Sequence, residues 1–112
     1  MSNAPDDDVI GKVWHGTQWE STIVQHLCDS RSFDTSELRG AVDFAFIDGA
    51  HSYEFVANDS VKAIEMVRSG GLIAWHDYSR KCPDVQRYLR SLPGSFQTRS
   101  VLGTSVAFAT RP

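Results

Sequence analysis

Residues 41–78 read AVDFAFIDGAHSYEFVANDSVKAIEMVRSGGLIAWHDY, and this stretch decides the fold. Two apolar runs, Val42–Ile47 and Leu72–Trp75, flank a segment with helical periodicity. A strand, a helix and a second strand at this spacing predict a parallel βαβ unit, because parallel strands need a long crossover that is usually a helix. Both strands would end at one edge of a sheet, where open α/β sheets bind ligands.

The segment between the two runs has the pattern of a helix that covers a sheet. Its apolar positions recur at helical spacing, and we predict that Ala57, Val61, Ile64 and Val67 form its buried stripe. We therefore predict a helix from Tyr53 to Arg68, which the glycine pair at positions 70 and 71 would end.

Polar residues follow each apolar run directly. Asp48 and His51 come after the first run, and His76 and Asp77 come after the second. We expect these four side chains to gather in one crevice, because parallel strands end at the same edge. A simpler interpretation is also open: the two aspartates can cap the turns that follow, and the histidines can be local hydrogen-bonding or packing residues.

The rest of the chain after Tyr78 predicts a helix and a hairpin. Pro83 suits the first position of a helix, and Pro93 would follow its end. Phe96–Val101 and Thr104–Thr110 read as two antiparallel strands. The predicted fold class is α/β, with a mainly parallel sheet and a C-terminal antiparallel hairpin.

The sequence before residue 41 has a weaker pattern. Residues 1–8 read as an acidic tail, and residues 9–112 as one α/β domain. Val9–His15 is a strand or an extended lead-in. Residues 18–28 combine a capping box with β-branched residues, so helix and strand both stay open; we favour one helical turn followed by a strand at Ile23–Cys28. A further helical turn is expected at Ser36–Arg39.

Composition narrows the classes of function. The chain has 112 residues, 41% of them hydrophobic, and a formal net charge of −3 without a basic tract. Duplex nucleic acid is therefore not an expected partner. No apolar run approaches the roughly 20 residues of a membrane span. We expect no signal peptide, because the N-terminal residues are acidic and lack an apolar stretch. We expect a cytoplasmic protein in which Cys28 and Cys82 are buried free thiols.

Two motifs resemble those of a known enzyme family. FIDGAHSYE at residues 46–54 and GGLIAWHDY at residues 70–78 are similar to the FIDGxHxY and GGxIxxHD patterns of small-molecule, class I S-adenosylmethionine-dependent methyltransferases. With the helix and the hairpin, the resemblance covers about Ile23 to Thr110. It implies a partial Rossmann-like methyltransferase sheet and methyl transfer from S-adenosylmethionine to a small molecule, at oxygen.

The resemblance also implies roles for particular residues. Asp48 and Asp77 would bind a divalent cation such as Mg²⁺, which orients a substrate hydroxyl. His76 or His51 would be the catalytic base that takes the hydroxyl proton.

The cofactor contacts implied by the resemblance lie on two loops. Asp29 and Ser30 would meet the adenine of S-adenosylmethionine, and Asp48 would also contact the cofactor. The alternative interpretation is that Asp29 caps the end of a helix or strand.

The chain departs from the family pattern in one large feature. It contains no G-x-G, whereas the family has a Gly-rich cofactor loop and an acidic residue for the ribose. The resemblance is therefore to the later part of a methyltransferase. We expect this chain to bind S-adenosylmethionine weakly or not at all. The rival hypothesis is a truncated, non-catalytic α/β module for oligomerisation or binding.

The strand at Val42–Ile47 is expected to expose one edge, because the family's first two strands have no counterpart here. The strand contains no Pro or Lys, and Asp43 is its only charge. Ile23–Cys28 or Val9–His15 can pair with this edge within one chain, or a second copy can supply the partner. We expect the second copy, as a homodimer or a larger assembly, with exchange of Val9–Cys28 between copies as one form of it.

Overall fold

The computed structural model describes residues 13–112 of the chain. Within these residues, four strands and two α-helices form the domain. In chain order they are β1 (Val42–Ile47), α1 (Tyr53–Met66), β2 (Val67–Trp75), α2 (Pro83–Arg90), β3 (Arg99–Ser100) and β4 (Ala107–Thr110). Short 3₁₀ turns lie at Glu20–Thr22, Ser30–Ser32, Ser36–Leu38 and Gly94–Phe96.

The strands form one mixed sheet in the order β1-β2-β4-β3. β1 pairs in parallel with β2, so the predicted parallel βαβ unit is confirmed. β4 runs antiparallel to both of its neighbours. The predicted hairpin is therefore confirmed, with shorter strands. The description "mainly parallel" is too simple, because only one of the three pairings in the described sheet is parallel.

The core lies between one face of the sheet and both helices. β2 contributes Ile73 and Trp75, and the helices contribute Val56, Ala63, Val85 and Leu89. The buried Trp75 indole donates a hydrogen bond to Ser60 Oγ at 2.9 Å. Ser60 is itself fully buried, and this bond satisfies the one polar group that the large Trp75 side chain carries into the core.

No described helix covers the opposite face of the sheet. Phe44 and Phe46 of β1 are 56% and 51% exposed, and Leu72 beside them is also exposed. Phe44 pairs with Leu72 and Phe46 with Ala74, so these side chains share one face. Among residues 13–112, β1 pairs only with β2, and its other edge is open. The expectation of an exposed edge at Val42–Ile47 is thus met within this part of the chain.

The predicted strand at Ile23–Cys28 is wrong. Ile23 has an extended backbone, but the segment contains no strand residue and pairs with no strand of the sheet. The segment that follows is attached to α1 instead, since Lys62 Nζ donates to the carbonyl oxygens of Ser30 at 2.6 Å and Phe33 at 2.9 Å. The chain therefore runs over the helical layer instead of alongside β1.

Two helical turns were predicted before residue 41, and both are confirmed. Two other N-terminal predictions concern residues that lie wholly or partly outside the described part of the chain. The helical turns appear as the 3₁₀ turns at Glu20–Thr22 and Ser36–Leu38. The predicted tail, residues 1–8, is outside. Val9–His15 is mostly outside, and its residues 13–15 form a turn.

The predicted helix end at the two glycines is also wrong. α1 ends at Met66, and Gly70 and Gly71 lie inside β2. Gly70 has φ +82, and a Cβ on Gly71 would come within 2.9 Å of the Asp43 carbonyl oxygen. The glycines therefore permit the irregular β1–β2 register near Val42, a role that sequence spacing does not distinguish from a helix stop.

None of the helices in the part of the chain that the structure describes is long and apolar enough to cross a bilayer.

Candidate functional site

The ends of β1 and β2 bring two polar loops together. Ile47 pairs with Trp75 as the last residues of the two strands, and the His76 backbone N–H donates to the Ile47 carbonyl oxygen at 3.0 Å. Asp48 and His76 therefore leave the sheet side by side. This is the carboxyl edge at which the sequence predicts a site.

The four predicted side chains form one connected chain of polar contacts. His76 Nδ1 lies 3.1 Å from Asp48 Oδ1 and 3.2 Å from Asp77 Oδ1. The other oxygen of Asp77, Oδ2, lies 2.6 Å from His51 Nε2. An ionised carboxylate only accepts hydrogen bonds, so the facing ring nitrogens are the donors. The prediction that Asp48, His51, His76 and Asp77 converge is confirmed.

Asp77 has an unusual backbone conformation. Its φ is +62, in the left-handed region that non-glycine residues rarely adopt. Backbone hydrogen bonds on both sides hold it there: the one from His76 to Ile47 and one from the Tyr78 N–H to the Ser105 carbonyl oxygen at 2.8 Å. Strained backbone of this kind is often found at functional sites. The motif at residues 70–78 did not predict this backbone conformation.

Three of the four side chains at this site are well exposed to solvent. The side chains of Asp48, His51 and His76 are 52%, 54% and 40% exposed, whereas Asp77 is 25% exposed. Donor atoms of Asp48, His76 and Asp77 lie within 4.8 Å of one another. Two carboxylates and an imidazole can hold a divalent cation such as Mn²⁺, and the carboxylates alone suit Mg²⁺.

Sequence reasoning missed two residues at this edge. Ser105, in the loop before β4, has its Oγ 3.4 Å from His76 Nε2. Cys82, immediately before α2, has its thiol near His51 and Asp77. The order of the elements puts Cys82, between β2 and α2, at this edge of the sheet, but its nearness to His51 depends on how α1 and α2 pack together.

A cavity of about 320 Å³ lies beside this cluster. It includes Asp48 and Ser30, two of the residues predicted to contact a cofactor, and Phe46 of β1. The remaining lining residues are His26, Cys28, Phe33, Ala45, Ile47, Asp59, Lys62, Ala63 and Met66. Its volume is at the lower end of the roughly 300–1,000 Å³ that small-molecule sites occupy.

Asp29, the third predicted cofactor contact, is engaged within its own loop. Its carboxylate accepts hydrogen bonds from the Arg31 backbone N–H at 2.9 Å and from the Arg31 guanidinium at 2.7 Å. These hydrogen bonds to Arg31 lower the pKa of Asp29 to about 2. The carboxylate thus caps the 3₁₀ turn at Ser30–Ser32, which is the alternative role that the sequence allowed.

Comparison with known families identifies the fold family of the chain. A family model described as a methyltransferase domain matches residues 5–78. The chain belongs to this methyltransferase domain family. A comparison with curated protein sequences finds no match.

The matched part of the methyltransferase domain contains both motifs. It includes β1, α1 and β2 and ends at Tyr78, immediately after His76 and Asp77. The mixed sheet with two helices is consistent with part of a methyltransferase fold. Methyltransferase domains of this family generally use S-adenosylmethionine.

Proposed function

We propose that this methyltransferase domain serves S-adenosylmethionine-dependent methyl transfer to the oxygen of a small molecule, assisted by a divalent cation. The observation that carries the proposal is the polar chain Asp48–His76–Asp77–His51 at the carboxyl edge, next to a cavity that shares Asp48 with it. A polar cluster that touches an apolar-walled cavity is the usual form of a binding site.

The cavity suits the adenine end of the cofactor. Phe33 and His26 both line the cavity and form an edge-to-face pair with ring centroids 4.9 Å apart. Aromatic rings of this kind offer surfaces for a planar heterocycle. Ser30 and Asp48 add polar groups that can fix its orientation.

The carboxylates fit the proposed cation. Asp48 Oδ1 and Asp77 Oδ1 both face His76 Nδ1, and these three residues would hold the ion. When bound, the cation would lower the pKa of a substrate hydroxyl. Asp77 would be held in place for this role by its backbone hydrogen bonds.

His51 is the better placed of the two candidate bases. Its Nε2 donates to Asp77, which leaves Nδ1 as the acceptor nitrogen, and its side chain is 54% exposed. His51 would therefore accept the hydroxyl proton while Asp77 stabilises the imidazolium that forms. His76 would be the base only where it does not ligate the cation.

Nuclear magnetic resonance with millimolar S-adenosylmethionine tests the proposal, because it detects weak binding. We expect chemical-shift changes confined to cavity residues such as Ser30, Phe33 and Phe46. Asp48→Asn should reduce them, whereas Asp43→Asn, which changes an exposed carboxylate near the other end of β1, should not. Absence of shifts at the cavity, or equal shifts in the Asp48→Asn protein, would contradict the proposal.

The second candidate function is a non-catalytic binding or oligomerisation module. It is favoured by the lack of a Gly-rich cofactor loop in the 112 residues. This module would show no change at the cavity with the cofactor and would still associate with other chains.

We also propose that the chain forms a homodimer through β1. Among residues 13–112, no strand pairs with the outer edge of β1 and no helix covers the face on which Phe44 and Phe46 are exposed. In a two-fold symmetric dimer, β1 of one copy would pair with β1 of the other. This pairing would form backbone hydrogen bonds for both edges and bring the exposed apolar side chains of the two copies together.

A further inference from the structure

A second group of metal-binding side chains lies on the other side of Asp77. A ring nitrogen of His51, a carboxylate oxygen of Asp77 and the thiol sulfur of Cys82 lie within 4.8 Å of one another. We propose that these three residues form a site for a thiophilic divalent transition-metal ion such as Zn²⁺, separate from the cation position at Asp48.

The donor set selects the class of ion. It offers one nitrogen, one oxygen and one sulfur. Zn²⁺ accepts all three and often binds three protein ligands with a water at the fourth position, whereas Mg²⁺ and Ca²⁺ prefer oxygen. Ligands about 2.0–2.3 Å from a tetrahedral ion lie roughly 3.3–3.7 Å apart, so the three groups need only small side-chain movements. Coordination by Cys82 would release its thiol proton to solvent.

Contacts outside the cluster hold two of its residues in place. The Tyr53 backbone N–H donates to Asp84 Oδ2 at 3.1 Å, which joins the first turns of α1 and α2. His51 precedes Tyr53 by two residues, and Cys82 precedes Asp84 by two. Arg87 of α2 also lies over the Tyr53 ring, 4.1 Å from its centroid. The geometry of the pair is therefore set by the packing of the helices.

The third ligand is Asp77, and each of its two carboxylate oxygens faces a different cation position. Oδ1 faces His76 at 3.2 Å, and Oδ2 faces His51 at 2.6 Å. An ion at Cys82 would use the oxygen that is turned away from Asp48, so variants can separate the two positions. Its presence would also withdraw His51 from service as a base, although the inference does not depend on that reaction.

A packing role is the competing explanation for Cys82. Its side chain is partly buried and packs against the core, and a free cysteine often acts as a small apolar residue. Packing alone gives Cys82 no reason to respond to metal ions.

Absorption spectroscopy of the full chain with Co²⁺ in place of Zn²⁺ distinguishes the two roles. We expect a near-ultraviolet thiolate-to-cobalt charge-transfer band that Zn²⁺ displaces. Cys82→Ser should abolish the band and weaken binding by more than about tenfold, because even loss of groups that only orient a ligand costs roughly 10–100-fold. Cys28→Ser and Asp48→Asn should keep it. A wild-type protein without the band, or a Cys82→Ser protein with it, would overturn the proposal.

A second measurement needs no variant. Zn²⁺ should slow alkylation of Cys82 in the wild-type chain at least about tenfold, since a metal-bound thiolate is a poor nucleophile. Cys28, which is exposed and outside the cluster, is the internal control and should react at an unchanged rate. Equal protection of both cysteines, or of neither, would overturn the site.

Discussion

His51 and Asp77 are joined by a 2.6 Å contact between Nε2 and Oδ2, although 26 residues separate them in the chain. The contact links the loop after β1 to the loop after β2. It depends on the left-handed backbone of Asp77, because that conformation sets where the carboxylate lies. The left-handed conformation of Asp77 therefore strains the backbone and places the carboxylate within reach of His51.

Replacement of Asp77 by glycine should separate stability from function. Glycine adopts a positive φ freely, so the relief of about 1 kcal/mol of strain should offset the lost side-chain contacts and leave the unfolding midpoint near its wild-type value. Affinity for Mn²⁺ should fall by more than about tenfold, because a ligand is lost. Urea unfolding and Mn²⁺ titration measure the two effects.

Gln97 provides the matched control. It is the other non-glycine residue with a positive φ among the described residues, at +51, and it is exposed. Gln97→Gly should raise the free energy of unfolding without changing Mn²⁺ affinity. A large loss of stability in Asp77→Gly alone would show that Asp77 is mainly a structural residue.

Ser60→Ala should destabilise the domain. The variant leaves the buried Trp75 N–H without its acceptor, which costs about 1–3 kcal/mol in the free energy of unfolding. The double variant Ser60→Ala/Trp75→Phe should lose less than the sum of the two single variants, because no polar group is then left unpaired. Denaturant unfolding of all four proteins gives this comparison, and strict additivity would contradict the assigned bond.

Calorimetry with S-adenosylmethionine should show no micromolar binding by the 112-residue chain. The cavity beside Asp48 and Ser30 offers contacts for one end of the cofactor, and the sequence has no Gly-rich loop for the methionine end. A micromolar dissociation constant would refute this prediction and would favour an active enzyme as it stands.

Sedimentation at micromolar concentration should show a dimer. Phe46→Glu should shift the chain toward monomer, because the charge would be placed on the uncovered face of β1. Val61→Glu is the control, since Val61 is similarly exposed but lies on α1. A monomer mass for the wild-type chain across a dilution series would show that the prediction is wrong.

The strongest sequence patterns predicted the part of the fold that holds the site. The apolar run at Val42–Ile47 matches β1 at both ends, and the predicted start of α1 at Tyr53 is correct. The patterns located these elements but did not predict their buried faces correctly. Phe44 and Phe46 of β1 are more than half exposed, and Val61 of the predicted helix stripe is 49% exposed, whereas Val56, Ser60 and Ala63 are the buried residues of α1. The convergence of Asp48 with His76 followed from the parallel direction of the two strands alone.

The parts of the structure that the sequence did not predict depend on contacts between residues that are distant in the chain. Ile23–Cys28 has the β-branched residues of a strand, but Lys62 attaches the following loop to α1. The two glycines at 70 and 71 can end a helix or permit an irregular strand, and only the close approach of β1 decides between these. Cys82 acquires its place near His51 through the packing of two helices.

Anomalous diffraction from crystals soaked in Mn²⁺ tests the central claim most directly. That claim is that Asp48 and Asp77 form the cation position of a methyltransferase site. The account predicts a strong anomalous peak between these two carboxylates, with His76 within reach of the ion. Strong peaks elsewhere and none at this pair would contradict it.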